Sequence, residues 1–469
     1  MAAATLKQEI SGLSLEDKSQ YGVDDGGGLV DDVISPIGAP PAPSTPHSFV
    51  DVKLTPVPGD NECVYAVDRS FHHLVKTFIR QTWPSFKVRD AYRSRIHIAL
   101  PINPMSVIVN GACELRRGTE VEDLCDSVTL NLHHHYFTEG GHAKSKDFCA
   151  GNVESYNDWT DHIDAHDTEV DLPFGFTLAS TSMFWLCTLP KGDSITIKVP
   201  LQRDLTKLIR MVEKDSEGNW TEVETNLSYL ESGVGKDVKA ELSVPVVSAR
   251  YCMVSEMELA RYKSCPQIRY SRLWSSFGDD ITTGVPYGFT MTIPLNGLNH
   301  CLGIFVVAEN QRALVYNNYN NYTTNSKDMS RGVWPIREAT LMTPTNQPRL
   351  TCDPVSSMTR YKDLLISTPT VAGYVVLCAN TLKPEHDILP GAKIQIGGSP
   401  CSLIVKLGLG STSDEVKIPR SDIGTARTLL PTLSDSPTFK IFVRCLSTQT
   451  IKYEFNKATD DWKPPVIVA

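Results

Sequence analysis

With 469 residues and 41% apolar content, the chain lies far from the disordered composition range and is long enough for two or three cores. A net charge of −9 argues against a nucleic-acid binder, which carries a basic patch or stripe. Twelve cysteines without a CxxC pair argue against a zinc ribbon or a dithiol redox motif, and thirty Gly with thirty Pro suit many short strands joined by turns.

Residues 1–46 stand apart. They hold Gly26–Gly28, the stretch APPAPSTP, and seven acidic against two basic residues. Such a segment buries too little apolar area to offset its ordering entropy, so a flexible arm is expected. Two readings stay open: plain disorder, or an arm that orders on a neighbour. The start, MAAATLKQEISGLSLEDK, has neither the basic opening nor the apolar run of a secretory signal, so the cysteines read as reduced thiols of a cytosolic protein.

From residue 47 onward most segments have period two, the pattern of a sheet with one buried face. VEDLCDSVTLNL (121–132) is expected to start as a helix after Arg117-Gly118-Thr119. His133, His134, His135 and His142 follow, and DHIDAHD adds His162 and His166 with three Asp. Imidazoles and carboxylates at such spacing can hold zinc or a related metal. HxxxH needs a helix to put both rings on one face, whereas Gly140-Gly141 and the Asp-rich context predict a loop. Surface histidines are therefore expected, with His133, His135, His162 and His166 as weak metal candidates and a pH-sensitive contact as a further option.

Leu172–Pro190 carries no charge for nineteen residues, and Ile281–Ala308 carries none apart from His300. Pro, Gly, Ser, Thr and Asn interrupt both, so paired buried strands are expected rather than membrane spans. In DSITIKVP, Ile195, Ile197 and Val199 share a face opposite Thr196 and Lys198. The sequons at Asn219, Asn226 and Asn321 read as polar loops. SEMELARYK (255–263) has a Ser N-cap with Glu258 three residues on, a capping box. It sits near the middle of the chain, with strand-like sequence on both sides, so two sandwiches joined at a helix are expected. NNYNNYTTN (317–325) reads as an exposed tip on an outer or inter-subunit loop. In KPEHD, Pro384 ends strand pairing while Lys383 and Glu385 keep the turn in water. GLGST (408–412) lacks the GK[ST] ending of a phosphate loop and reads as a hairpin turn. In TFKIFVRC, Phe439, Ile441, Val443 and Cys445 share a face opposite Lys440 and Arg444.

GYVVLCANTLKPEHDILPGAKIQI resembles a second-jelly-roll segment of the major capsid proteins of nucleocytoplasmic large DNA viruses: Leu382, Lys383, Pro384 and Glu385 match the turn that ends one strand, and Pro390-Gly391 stands near a later element. PLNGLNHCLGIFVV resembles the family's Leu-Asn-x-x-Asn-His segment, through Leu295, Asn296, Asn299 and His300. LPFGFTLASTSMFWLCTLPKGDSITIKV resembles its Pro-Phe-aromatic segment, through Pro173, Phe174 and Phe176. SARYCMVSEMELARY and, more weakly, NPMSVIVNGACELRRGTEVEDLCD add a strand-then-helix and a strand-Gly-helix match in the same order. Cys301 replaces the usual Pro after the His, and Phe305 a common Trp, so the resemblance is to a divergent member.

The resemblance implies an all-β chain of two tandem eight-stranded jelly-roll sandwiches, with a few short helices in loops and at the junction. The expected division is an arm over 1–46, a first jelly roll over 47–260 and a second over 261–469. It further implies a structural major capsid protein without catalytic residues or cofactor. Three copies would form a pseudo-hexagonal capsomer tiling an icosahedral virion shell, assembled in the host cell, in its cytoplasm. Implied partners are other copies, minor capsid and penton proteins and an internal membrane layer, with no direct nucleic-acid binding. Alternatives are a minor capsid or scaffolding protein of the same fold, a non-viral ligand-binding β-sandwich, and a metalloprotein using the His/Asp cluster.

Overall fold

The computed structural model describes residues 48–59, 62–101, 103–136, 159–178, 183–231, 242–278, 282–295, 300–327, 335–353, 375–378, 394–395, 401–408, 417–418, 427–428 and 437–468. Eight principal strands come from the first half: β1 (Ser48–Lys53), β2 (Glu62–Ala66), β3 (His73–Trp83), β4 (Ala112–Arg117), β5 (Glu120–Asp126), β6 (His166–Asp171), β7 (Ile195–Pro200) and β8 (Val246–Met253). Eight more follow: β9 (Gln267–Phe277), β10 (Thr290–Leu295), β11 (His300–Asn310), β12 (Ile336–Met342), β13 (Pro348–Cys352), β14 (Val375–Cys378), β15 (Cys401–Leu407) and β16 (Thr438–Tyr453).

The first eight pair antiparallel in the orders β1-β8-β3-β6 and β2-β7-β4-β5. The second eight pair in the orders β9-β16-β11-β14 and β10-β15-β12-β13. Adding eight to each strand number of the first half reproduces the second. Both halves thus have the double Greek-key order of a jelly roll, and among the described residues no sheet mixes strands of the two. The halves share this strand order without a visible sequence repeat, because each sandwich needs only inward apolar positions at period two, and many sequences satisfy that.

Alternation is visible strand by strand. Ile195, Ile197 and Val199 are buried on β7, and Phe439, Ile441, Val443 and Cys445 on β16. Each such aliphatic side chain withdrawn from water contributes about 1.5–3 kcal/mol before entropy is counted. The first core holds Tyr65, Trp83, Phe86 and Tyr251; the second holds Trp274, Phe305 and Phe439. Ile451, Tyr453 and Trp462 from the second half join the first core, and Val128, Leu132 and Leu178 from the first half join the second.

Three helices matter: α1 (Pro104–Ile108), α2 (Ser127–Tyr136) and α3 (Glu256–Ser264). The junction helix α3 has the expected cap, Ser255 accepting from the Glu258 amide at 3.3 Å. The Glu258 carboxylate accepts from the Tyr262 hydroxyl at 2.7 Å. The helix expected over 121–132 is corrected. Glu120–Asp126 is strand β5, turned back on β4 through Gly118 at φ +61°, and the helix begins only at Ser127. Its cap is Asp126, which accepts from the Thr129 amide at 2.8 Å while its own amide donates to Thr129 Oγ1 at 2.6 Å.

Leu172–Pro190 also departs from expectation. Its described residues are buried or half-buried, with seven of them in 3₁₀ turns (Gly175–Leu178, Leu186–Thr188) and only Phe184–Trp185 paired as strand. Ile281–Ala308 does supply strands, Val285–Pro286, β10 and the start of β11. No helix among the described residues is long and apolar enough to cross a membrane.

Long connections at one end of the first sandwich interlock with each other. Ile96–Ala99, Arg210–Lys214 and Trp220–Val223 form a three-stranded sheet, and Phe86–Lys87 pairs with His162–Ile163. Asn219 and Asn226 are exposed on these connections.

Candidate functional site: the seam between the sandwiches

Where β16 and β9 of the second sandwich meet β5, α2 and the 172–178 segment of the first, the contact is buried and polar. Arg444 on β16 is 3% exposed. Its Nε and Nη2 donate to Asp126 Oδ2 at 2.8 and 2.5 Å. Burial alone would push the Asp126 carboxyl up. The Arg444 charge, with the Thr129 hydrogen bonds, outweighs it and holds the group below the usual range. The residue that caps α2 therefore also anchors the second sandwich.

Two more arginines point from β9 toward the first sandwich. Arg272 Nη1 donates to the Leu178 carbonyl at 2.9 Å. Arg269, also buried, bonds Tyr453, and its guanidinium lies over the Phe184 ring at 6.0 Å. Opposite them Asp123 accepts from the Phe176 amide at 3.1 Å and the Leu124 amide at 2.9 Å. Basic groups on one sandwich thus face acidic groups on the other.

Asp123 behaves unlike Asp126. Desolvation raises its pKa to about 7, against which its backbone hydrogen bonds and the nearby Arg269 act only in part. A carboxyl raised in the folded state binds its proton more tightly there than in the unfolded chain. Its contribution is present in full below the ordinary carboxyl value of 3.8 and is lost as pH rises through about 7. Asp123→Asn is expected to flatten this loss. Urea unfolding of both proteins between these two pH values checks it, and equal slopes would refute the assignment.

The Pro-Phe-aromatic segment, read from the family resemblance, lies in this seam. Trp274 Nε1 on β9 donates to the Pro173 carbonyl at 3.0 Å. Phe174 and Phe176 stack at 6.0 Å between ring centroids, and Phe176 meets Phe184 at 5.9 Å. Gly175 lies so close to β9 that an added Cβ would stand 2.6 Å from the Arg272 carbonyl oxygen and from Leu273 Cα. Nearby, Trp185 stacks on Tyr453 at 5.9 Å and on Tyr262 at 5.0 Å.

NNYNNYTTN is not an exposed tip: Asn317, Asn318, Asn320, Asn321, Tyr322 and Thr323 are buried. Asn317 Nδ2 donates to the Thr206 and Ile209 carbonyls at 2.6 and 2.7 Å. Asn320 Nδ2 donates to Ser106 Oγ at 2.8 Å. A chain of bonds then runs from Asn103 to Asn131 Oδ1 (3.1 Å), from Asn131 to the Tyr322 hydroxyl (3.0 Å), and from that hydroxyl to Asn320 Oδ1 (3.1 Å). Asn103, Asn317 and Asn320 adopt φ of 49°, 54° and 58°, the left-handed region that Asn tolerates better than other side chains with a Cβ. The run is a clasp from the second sandwich onto the connections of the first. The Asn321 sequon is correspondingly closed, its Nδ2 donating to the Asn325 carbonyl at 2.8 Å.

The histidine candidates lie on different elements. His133 and His135 fall within α2, where a loop was expected. His162 is exposed beside Asp161 at 3.0 Å, and His166, on β6, bonds the Asp164 carbonyl at 2.8 Å. Among the described residues no three His, Cys, Asp or Glu side chains group as a metal site. His300 opens β11 opposite Gln395. Asn296, Asn299, Lys383, Pro384 and Glu385 lie outside the described residues.

No protein-family model and no curated protein matches the sequence. Solved structures do match in fold. PBCV-1 VP54, fitted into a reconstruction of the virophage Sputnik, superposes with a TM-score of 0.61 at 12% identity, over 91% of this chain and 97% of that one. The quasi-atomic PBCV-1 virus capsid gives 0.62 at 12% identity, with the same coverage. The Faustovirus major capsid protein gives 0.57 at 8% identity, over 96% of this chain and 98% of that one. Over nearly its whole length, the chain has the double jelly-roll fold of these PBCV-1 and Faustovirus capsid proteins.

Proposed function

We propose that the chain is the major capsid protein of a large DNA virus, a structural protein and not an enzyme. One observation carries the reading: two jelly rolls of identical strand order are locked side by side by a buried polar seam. A single chain then supplies two adjacent sides of a six-sided block, and three copies around a threefold axis complete it. The near full-length likeness in fold to the PBCV-1 and Faustovirus capsid proteins supports the same reading.

In this reading, residues 1–46 form an inner arm that contacts neighbours or minor capsid proteins, 47–260 the first jelly roll, and 261–469 the second. The interlocked connections of the first sandwich belong to the outer surface. Capsomers tile an icosahedral shell in the virion, over an internal membrane layer and joined by penton proteins, after assembly in the host cytoplasm. Subunit contacts are of obligate size, on the order of several thousand Å². Light scattering of the purified chain, with negative-stain imaging, tests the proposal. A trimer with a hexagonal outline is expected; a stably folded monomer would overturn it.

A further inference from the structure

Cys113 on β4 and Cys125 on β5 are direct cross-strand partners, and both are fully buried on the inward face of the first sandwich. Opposed residues of an antiparallel pair have Cα atoms about 4.5 or 5.5 Å apart, and both values fall inside the span a disulfide bridges. The second sandwich holds a contrasting pair. Cys301 and Cys445 are equally buried, but Cys301 lies opposite Ser447 and Cys445 opposite Ile304, across a bulge. Such diagonal neighbours stand about 7–8 Å apart, beyond that span.

We propose that Cys113 and Cys125 form a latent cross-link site, which a low-molecular-weight disulfide converts to an intrachain disulfide when the seam opens. One thiolate attacks a sulfur of the oxidant and displaces one small thiol. The second thiolate attacks the mixed disulfide and displaces the other. Two protein thiols thus lose two protons and two electrons, and the oxidant becomes two thiols.

The closed fold resists this step. Burial, the neighbouring thiol, and Asp123 and Asp126 all push the Cys125 thiol up and deplete the reactive thiolate. β5 is the end strand of its sheet, and its last residue is the Asp126 that Arg444 holds. Loosening the seam therefore releases the strand that carries Cys125. The cross-link stands on register alone. Only its timing, after release from a reducing cell, rests on the capsid reading.

The test takes the reduced full-length chain through a time course in oxidised glutathione, followed by acid quench, alkylation in denaturant and peptide mass mapping. Expected is a Cys113–Cys125 linked peptide retaining no glutathione, with Cys301 and Cys445 alkylated. Arg444→Met should speed its formation about tenfold or more, as expected for reaction through an opened state. If that variant does not fold, wild type in sub-denaturing urea should show the same acceleration. Separate glutathione adducts on Cys113 and Cys125, persistent alkylation of both under opening conditions, or a rate indifferent to opening would each overturn the proposal. Light scattering on the same sample reports separately on the capsid reading.

Discussion

Replacing Arg444 by methionine is expected to lower folding stability by about 3–5 kcal/mol and to separate the unfolding of the two sandwiches. Methionine fills much of the arginine's volume, so the loss comes from Asp126, left buried with its charge uncompensated. Asp126 cannot move to water, because the same carboxylate caps α2 through Thr129. The double variant Arg444→Met with Asp126→Asn removes the stranded charge, and Asn remains a good N-cap. It is expected to recover most of the loss. By contrast, breaking the exposed Arg80–Asp167 pair on the outer face of the first sandwich should leave stability nearly unchanged, because water screens it. Acid should mimic the single variant. Asp126 is held below its ordinary value of 3.8, so its contribution is present above that value and is lost as pH falls through the depressed folded value. Urea unfolding followed by tryptophan fluorescence checks the series. A double variant as unstable as the single one would show that the ion pair is not what holds the seam.

The sandwiches were legible in the sequence and the seam was not. Strand β7 and the first residues of β16, Thr438–Val443, alternate because one face meets a core of aliphatic neighbours, and Ser255 announces its helix within four residues. Strand β5 hid because its second half is covered on both faces. Asp123 and Asp126 occupy buried positions that a half-exposed strand would give to apolar residues, so EVEDLCD read as the start of a helix. Arg444 likewise read as solvent-facing, since alternation tells which side of the sheet a residue takes and not what lies beyond it. The Asn-rich run has the composition of an adaptable surface loop, and only its partners mark it as a clasp. Those partners are remote: Arg444 and Asp126 are 318 positions apart, Asn320 and Ser106 are 214 apart, and Asn131 and Tyr322 are 191 apart. Nothing local to either residue signals such a pairing. One trace was available in Asp126-Ser127-Val128-Thr129, which spells an N-cap and sets the end of β5.

Gly175→Ala tests whether the closeness of the sandwiches matters to the function proposed. The added methyl group meets the β9 backbone, the Arg272 carbonyl oxygen and Leu273 Cα, each at 2.6 Å, rather than the yielding end of a side chain. Relief requires the 172–178 segment to withdraw from β9, which stretches the Trp274 bond to the Pro173 carbonyl and the Phe176 amide bond to Asp123. Overpacking of this kind costs about 1–3 kcal/mol, and an obstruction made of backbone places Gly175 at the upper end. Gly118→Ala provides the comparison. Gly118 has φ +61° but nothing within 4 Å, so that variant carries hairpin strain without touching the seam. Both proteins should fold, and both should melt earlier than wild type. Only Gly175→Ala should lose trimer in light scattering, because a changed angle between the sandwiches in each copy prevents three copies from closing a ring. If the two variants assemble equally well at temperatures where both remain folded, the seam contributes to stability alone, and the geometry of assembly is set elsewhere.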